Sequence, residues 1–312
     1  ALSSAASDVY KRQVIACIVG IVMVNITHPG VGFTLDNMQA FDTSKVKTPS
    51  FVNFLFDMVP VNIVDSMAKN QIMQMIFFTV LVGVALVSLG EKVAGVTKIF
   101  DQCASIIYKM LDIVMLYSPI GVLALMANTT AVFGPKLFGV LAKFVFTDWV
   151  GCLLIWFFFS GIVWLYTKVN YLEMCKSMIP IWVNTIATNS SAGTIPITLN
   201  VTTERLKVPM SIASFSIPLG ATINLTGAAL YKTILAFFVA EIYGLQLTID
   251  QILMVIIIST IMSIAAPGIP GGGIVTGAIF LNLLGLPMDL MGPIAGMYRL
   301  IDMSHTTVNV SG

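Results

Sequence analysis

The chain has 312 residues, 57% of them apolar and 10% charged, with a formal net charge of +1. Soluble domains carry about 25% charged residues, so these few charges, with a mean hydropathy of +0.93, exclude a pair of soluble domains and indicate an integral membrane protein. The near-zero net charge removes the electrostatic case for a nucleic-acid partner. Cys17, Cys103, Cys152 and Cys175 show no C-x-x-C spacing and provide no disulfide or zinc framework. His28 and His305 lie too far apart for a histidine-rich metal tract.

The chain opens on Ala1 with no secretory signal pattern before it. Residues 1–13 contain Val9-Tyr10-Lys11-Arg12-Gln13, which resembles translated adaptor sequence; the alternative is a basic cytoplasmic flank. The other end, Gly312, falls inside a patterned segment. We therefore expect an internal fragment of a longer protein.

A spanning helix needs roughly 20 mostly apolar residues. A partial one runs from Gln13 to about Thr27 and stops at His28-Pro29-Gly30, a breaker cluster. A polar loop follows over about 35–49. Shorter apolar pieces cover 51–64 and 71–90, divided around Asp65–Asn70. Two clear spans are expected at 103–128 and 138–167, with Asp148 near the outer end of the second. Lys92 and Lys98, Lys168 and Lys176, and Arg205 and Lys207 mark cytoplasmic loops. Lys45 and Lys47 fall outside that pattern.

From 172 onward the apolar pattern is interrupted. Thr188-Asn189-Ser190-Ser191-Ala192-Gly193-Thr194-Ile195-Pro196 breaks one stretch. Ala265-Ala266-Pro267-Gly268-Ile269-Pro270-Gly271-Gly272-Gly273 breaks another. Non-helical backbone survives at membrane depth only inside protein or beside water. Each stretch therefore reads as a re-entrant helical hairpin, about 172–203 and 247–285. Paired breaks of this kind mark a transporter binding site, and free N–H groups at helix starts suit a carboxylate. The bland alternative is a pair of flexible surface loops.

Between them lies Pro218 to Tyr231, with Gly220, Thr222, Asn224, Thr226 and Gly227 in an apolar helix. An unwound turn there would offer carbonyl, amide and hydroxyl oxygens to a small cation such as Na⁺; close helix packing explains the same small residues equally well. Lys232 reads as a snorkelling anchor near the end of its span. At the far end, Asp302, His305, Thr306 and Asn309 recur at i, i+3, i+4 and i+7, one helical face. Ionisable groups on such a face must point into a bundle or a wet cavity, and mark a functional site unless they only lock two helices together. Arg299 lies just off that stripe.

These motifs, in this order, resemble the glutamate and neutral amino acid transporters, the dicarboxylate/amino acid:cation symporters, in a prokaryotic member. The resemblance covers nearly the whole chain from about residue 14. Ser190-Ser191-Ala192-Gly193-Thr194-Ile195-Pro196 is similar to the family's serine-rich first tip and Gly268-Ile269-Pro270-Gly271 to its second. Pro218–Tyr231 is similar to the helix with the Asn-Met-Asp-Gly-Thr motif, and Asp302–Gly312 to the last, substrate-binding helix. The resemblance implies an all-α, multi-span, elevator-type transporter of the inner (plasma) membrane. It implies a homotrimer with scaffold helices over 50–130 and a transport domain of 14–30 plus 135–312. It also implies that two N-terminal helices and most of a third are missing, and that an acidic ion ligand would follow as residue 313.

The resemblance further implies substrate contacts from Asn189, Ser190, Ser191, Ala228, Ile269, Gly273, Asp302, His305, Thr306 and Asn309. Ser190, Ser191 and Asn309 would hold the α-carboxylate; Asp302 and Thr306 would hold the α-amino group. Cation contacts are implied from Gly220, Thr222, Asn224, Thr226, Ser263, Ile264, Ala266 and Asn309. Na⁺ would be the coupling ion, with no cofactor.

Three residues depart from the family pattern. His305 stands where acidic-substrate members have an arginine, Ala228 where the motif has threonine, and Thr226 where it has aspartate. A histidine lacks the permanent bidentate charge of arginine, so the expected substrate is a neutral or polar amino acid, with reduced Na⁺ stoichiometry. The alternatives are an acidic amino acid or dicarboxylate symporter coupled to protons or Na⁺, and an anion-conducting channel. A hydrolase built on Ser190 or Ser191 with His305 and Asp302 lacks a G-x-S-x-G elbow; no enzyme is expected.

Overall fold

The computed structural model describes residues 2–33, 55–167, 170–264, 268 and 270–312. The polar stretch at 35–49, with Lys45 and Lys47, lies outside the described residues, as do Lys168, Ala266 and Ile269. The described secondary structure is helical throughout. Four stretches are long and apolar enough to cross a membrane: Asp8–Thr27, Met73–Leu116, Lys136–Thr167 and Met210–Ile242.

In chain order the helices are α1 (Leu2–Thr27), α2 (Ile63–Ala68), α3 (Ile72–Leu89), α4 (Ala94–Leu116), α5 (Ser118–Phe133) and α6 (Lys136–Thr167). Then follow α7 (Tyr171–Thr188), α8 (Ser191–Asn200), α9 (Met210–Ile223), α10 (Thr226–Ile242), α11 (Ile249–Ile264), α12 (Gly272–Leu283) and α13 (Met291–Ser311). The span expected at 103–128 is two helices, α4 and α5, meeting at Tyr117. Pro119 explains the break, because it has no N–H to donate to the carbonyl of Met115 four residues back and its ring crowds that turn.

The chain divides into two compact units. Pro49–Leu125 forms the smaller one. It holds α2, α3 and α4, the last two joined by a 3₁₀ turn at Gly90–Val93. The Asn62 side chain accepts from the N–H groups of Val64 and Asp65 at 3.0 and 3.4 Å. That cap starts α2 at Ile63, and the helix runs to Ala68 through the segment expected to be a break around 65–70. Val80, Leu81, Val84, Ile99, Phe100 and Ile107 are exposed in this unit, the pattern of faces solvated by lipid or by partner helices.

The larger unit comprises Ala1–Thr48 and Met126–Gly312, and helix α10 is its core. Nearly every residue from Thr226 to Ile242 is buried, as an all-round apolar helix requires. It packs against α1, α6, α11 and α13. Gly20 and Gly151 permit this approach: a β-carbon would meet Thr233 at 3.2 Å and Leu230 at 3.0 Å respectively. At the end of α1, His28 takes φ +45° and its ring nitrogen lies 3.0 Å from Glu241. Glu241 also accepts the Gly30 N–H at 2.7 Å. Lys143 donates to the His28 carbonyl at 2.7 Å.

Candidate functional site

Two helix–break–helix segments and one interrupted helix converge on α13. The first pairs α7 with α8. Asn189 ends α7 in the left-handed region at φ +52°, a conformation that asparagine tolerates better than most residues. The Ser190 hydroxyl then caps α8 by accepting the Gly193 N–H at 3.0 Å. Asn189 donates to the Arg299 carbonyl at 2.9 Å. Thr185 and Trp182 bond Thr307 and Ser311 at 2.8 and 3.0 Å, which ties α7 along α13. Arg299 itself is exposed and donates to the Ala187 carbonyl at 3.2 Å.

Helices α9 and α10 are separated by the unwound pair Asn224 and Leu225. Asn224 donates to the Asn309 carbonyl at 3.0 Å. Its own oxygen accepts from Thr226 at 3.0 Å. The Asn309 side-chain oxygen accepts the Gly227 N–H at 2.7 Å. The break thus costs few orphaned backbone groups, since two asparagines supply missing partners. Gly227 is obligatory here, because a β-carbon would sit 2.7 Å from the His305 Cα.

The second break lies between α11 and α12. Gly268 faces both other elements: a β-carbon on it would be 3.0 Å from the Ala221 carbonyl and 3.4 Å from the Ser191 Cβ. The two tips and the unwound helix therefore meet. The Gly271 N–H donates to Asp302 at 3.1 Å, and Tyr298 donates to the other Asp302 oxygen at 3.5 Å. Gly273 lies against the Tyr298 phenol, and any β-carbon there would collide with it.

The stripe Asp302, His305, Thr306 and Asn309 is buried. His305 is not directed at the serines or at Asp302. Its Nε2 lies 2.8 Å from Asp148 Oδ1, while Ser304 donates to Asp148 Oδ2 at 2.8 Å. Asp148 is fully buried in α6. Cys152, one turn on, points its thiol at the same carboxylate at 4.0 Å. His305 Nδ1 is buried with no hydrogen-bond partner among the described residues, beside the rings of Tyr231 and Tyr298. Periodicity within α13 finds His305, but not its partner 157 residues away.

The remaining expected residues are placed as follows. Ser191 is buried, and Ala228 half-buried. Gly220 accepts the Asn224 N–H through its carbonyl at 2.9 Å. Thr222 is exposed and turns its hydroxyl onto the Leu219 carbonyl at 2.7 Å. Ser263 is buried and Ile264 exposed. Lys232 is also fully buried, which corrects its reading as a snorkelling anchor: α10 is central, so its side chain has no path to the interface. A cavity of about 550 Å³ is lined by Ser191, Gly220, Asn224, Thr226 and Asn309, among others.

Chemically, the site offers helix-start N–H groups and hydroxyls for an anion, a buried carboxylate for an ammonium, and an imidazole held by Asp148. These are binding functions. The Ser190 hydroxyl is spent on its cap and His305 on Asp148, so no nucleophile–base pair is assembled from them.

Residues 5–312 match the model of the sodium:dicarboxylate symporter family. The chain is 32% identical over 298 residues to a "Proton/glutamate-aspartate symporter" of Bacillus subtilis, covering 94% of this chain and 72% of that protein. It is 30% identical to a "Proton/sodium-glutamate symport protein" of Bacillus caldotenax, covering 96% and 72%. It is 29% identical to a "C4-dicarboxylate transport protein" of Bacillus subtilis, again covering 96% and 72%. The chain is a multi-pass membrane protein that belongs to the sodium:dicarboxylate symporter family.

Proposed function

We propose that this cation-coupled symporter carries an acidic amino acid together with a proton. The observation that carries the reading is the convergence on α13: Ser191 and Gly268 meet, Gly271 touches Asp302, and His305 rests on Asp148. The Ser190–Ser191 start of α8 and Asn309 would receive the α-carboxylate. Asp302 would exchange the Gly271 N–H for the substrate ammonium, since a buried carboxylate favours a cationic partner. The side-chain carboxylate would approach His305.

Asp148 makes the imidazole useful there. It accepts the Nε2 proton, so a neutral ring presents a lone pair at Nδ1 and a protonated ring presents an N–H donor. The buried counter-charge of Asp148 offsets the cost of that proton, and the substrate carboxylate completes the pairing. Proton and acidic substrate then bind together. The names of the relatives, glutamate-aspartate and C4-dicarboxylate carriers coupled in two cases to protons or to protons and sodium, support this over the neutral-substrate reading.

Sodium as the sole coupling ion is less well supported. The Asn224 and Asn309 side-chain oxygens are engaged in internal hydrogen bonds, and Thr226 contributes no carboxylate. The neutral amino acid reading keeps one observation in its favour: His305 Nε2 is committed to Asp148. In this proposal α7–α8 and α11–α12 are the re-entrant hairpins, the larger unit moves as the transport domain, and Pro49–Leu125 belongs to a trimeric scaffold.

Uptake by reconstituted protein tests the reading. Acidic amino acids should compete best against labelled substrate, and an inward proton gradient should drive accumulation with choline in place of Na⁺. Best competition by neutral amino acids would restore the alternative.

A further inference from the structure

Lys232 is the buried charge that this mechanism does not use. It sits on α10 with its side chain fully enclosed. Its ammonium donates to the Ala228 carbonyl at 3.3 Å and to the Ser263 hydroxyl of α11 at 3.3 Å. The ion pairs found among the described residues are Lys11–Asp8, His28–Glu241, Lys69–Asp65 and His305–Asp148, and none includes it. The titratable group facing it is the Cys17 thiol of α1. Carbonyl and hydroxyl oxygens around a positive charge are the coordination that a free alkali cation seeks.

The charge balance of the larger unit gives this placement a purpose. Its buried charge-bearing side chains, among the described residues, are Asp148, Asp302, His305 and Lys232. With a neutral imidazole there are two carboxylates against one ammonium; with a protonated one, two against two. Removing Lys232 would leave an excess of negative charge in every protonation state of His305. An acidic substrate adds one more negative charge. Uncompensated charge within a membrane is costly, so a domain without this lysine would have to recruit a cation from solution.

We propose that the Lys232 ammonium is a tethered cation, held by Ser263 and Ala228, that takes the place of one freely diffusing coupling cation. The proposal rests on the symport reading above. It makes Lys232 an electrostatic positioning residue that acts through Ala228 and Ser263, and it assigns to the oxygens around it a latent affinity for small cations.

The test is uptake and substrate binding by Lys232→Met, Lys232→Ala and Lys232→Arg in reconstituted vesicles, with choline, Na⁺ or methylammonium as the external cation. The wild type and Lys232→Arg should bind and accumulate substrate in choline. Lys232→Met, neutral and space-filling, should lose at least about tenfold in both, as expected for an uncompensated charge. Lys232→Ala, neutral but with room, should lose as much in choline and recover with Na⁺ or methylammonium. Neutral variants that match the wild type in choline overturn the proposal, as does an alanine variant that no cation rescues while Lys232→Met is equally inactive. If the neutral variants cannot be recovered folded, the wild type decides: substrate affinity unchanged when Na⁺ replaces choline supports the tethered cation, and a strict Na⁺ requirement overturns it. A wild type that exchanges substrate but never accumulates it under any cation gradient sinks the symport reading, and this proposal with it.

Discussion

Asp148 and His305 stand 157 residues apart in the chain and 2.8 Å apart in the fold. Both are buried, and Ser304 donates to the second oxygen of the same carboxylate. One acidic side chain on α6 thus holds two neighbours on α13.

Removing that acceptor should be costly. Asp148→Ala leaves His305 Nε2 without its partner in a dry site, while the Ser304 hydroxyl keeps the Ile301 carbonyl at 2.7 Å. Breaking such a pair costs about 3–5 kcal/mol. Asp148→Asn keeps an oxygen acceptor for one of them and should lose less. Thermal melting in detergent would rank wild type above Asn above Ala; equal melting points would refute a structural role for the pair.

His305→Gln retains a polar group of similar reach but can no longer take a proton. Acidic amino acids should lose about tenfold or more in apparent affinity, the loss of a charge-assisted hydrogen bond. Neutral competitors should change little. An unaltered competition series would place the substrate side chain elsewhere.

Gly227 offers a purely steric check. A β-carbon there would lie 2.7 Å from the His305 Cα and 2.9 Å from a Val308 methyl. The first contact is backbone and cannot rotate away. Gly227→Ala should destabilise by about 1–3 kcal/mol or more, read as a lowered melting temperature and reduced yield. Gly220→Ala is the control, because a β-carbon at that position would meet no described atom within 4 Å.

Asp302 binds the second tip through the Gly271 N–H at 3.1 Å. Asp302→Ala removes that bond and the proposed ammonium site together. Hydrogen exchange at Gly271 and Gly272 should accelerate, and substrate should no longer slow it. In the wild type, substrate should slow exchange at the same residues if the tip closes over it.

Much of the helical layout is legible in the sequence because lipid imposes simple rules. Apolar runs of spanning length and breaks at Asn189-Ser190 and at the Gly/Pro cluster are visible in one dimension, and so is the polar face at i, i+3, i+4 and i+7 of α13. The break at Pro119 is equally visible, but the hydropathy of the whole run outweighs it. Residues 265–267 and 269 lie outside the described structure, so Ile269 and Ala266 keep only the roles implied by resemblance.

What the sequence alone determined was the membrane class, the interrupted elements and the polar face of α13, because these depend on local composition and period. Only the tertiary structure decided which charges meet. In sequence, Asp148 and Lys232 are peripheral exceptions in apolar runs, since periodicity cannot say whether a helix is central or edge. Packing α10 at the centre buries Lys232 against Ser263, and packing α6 on α13 brings Asp148 to His305. A buried charge is tolerable only with a partner, and here the partner lies on another helix.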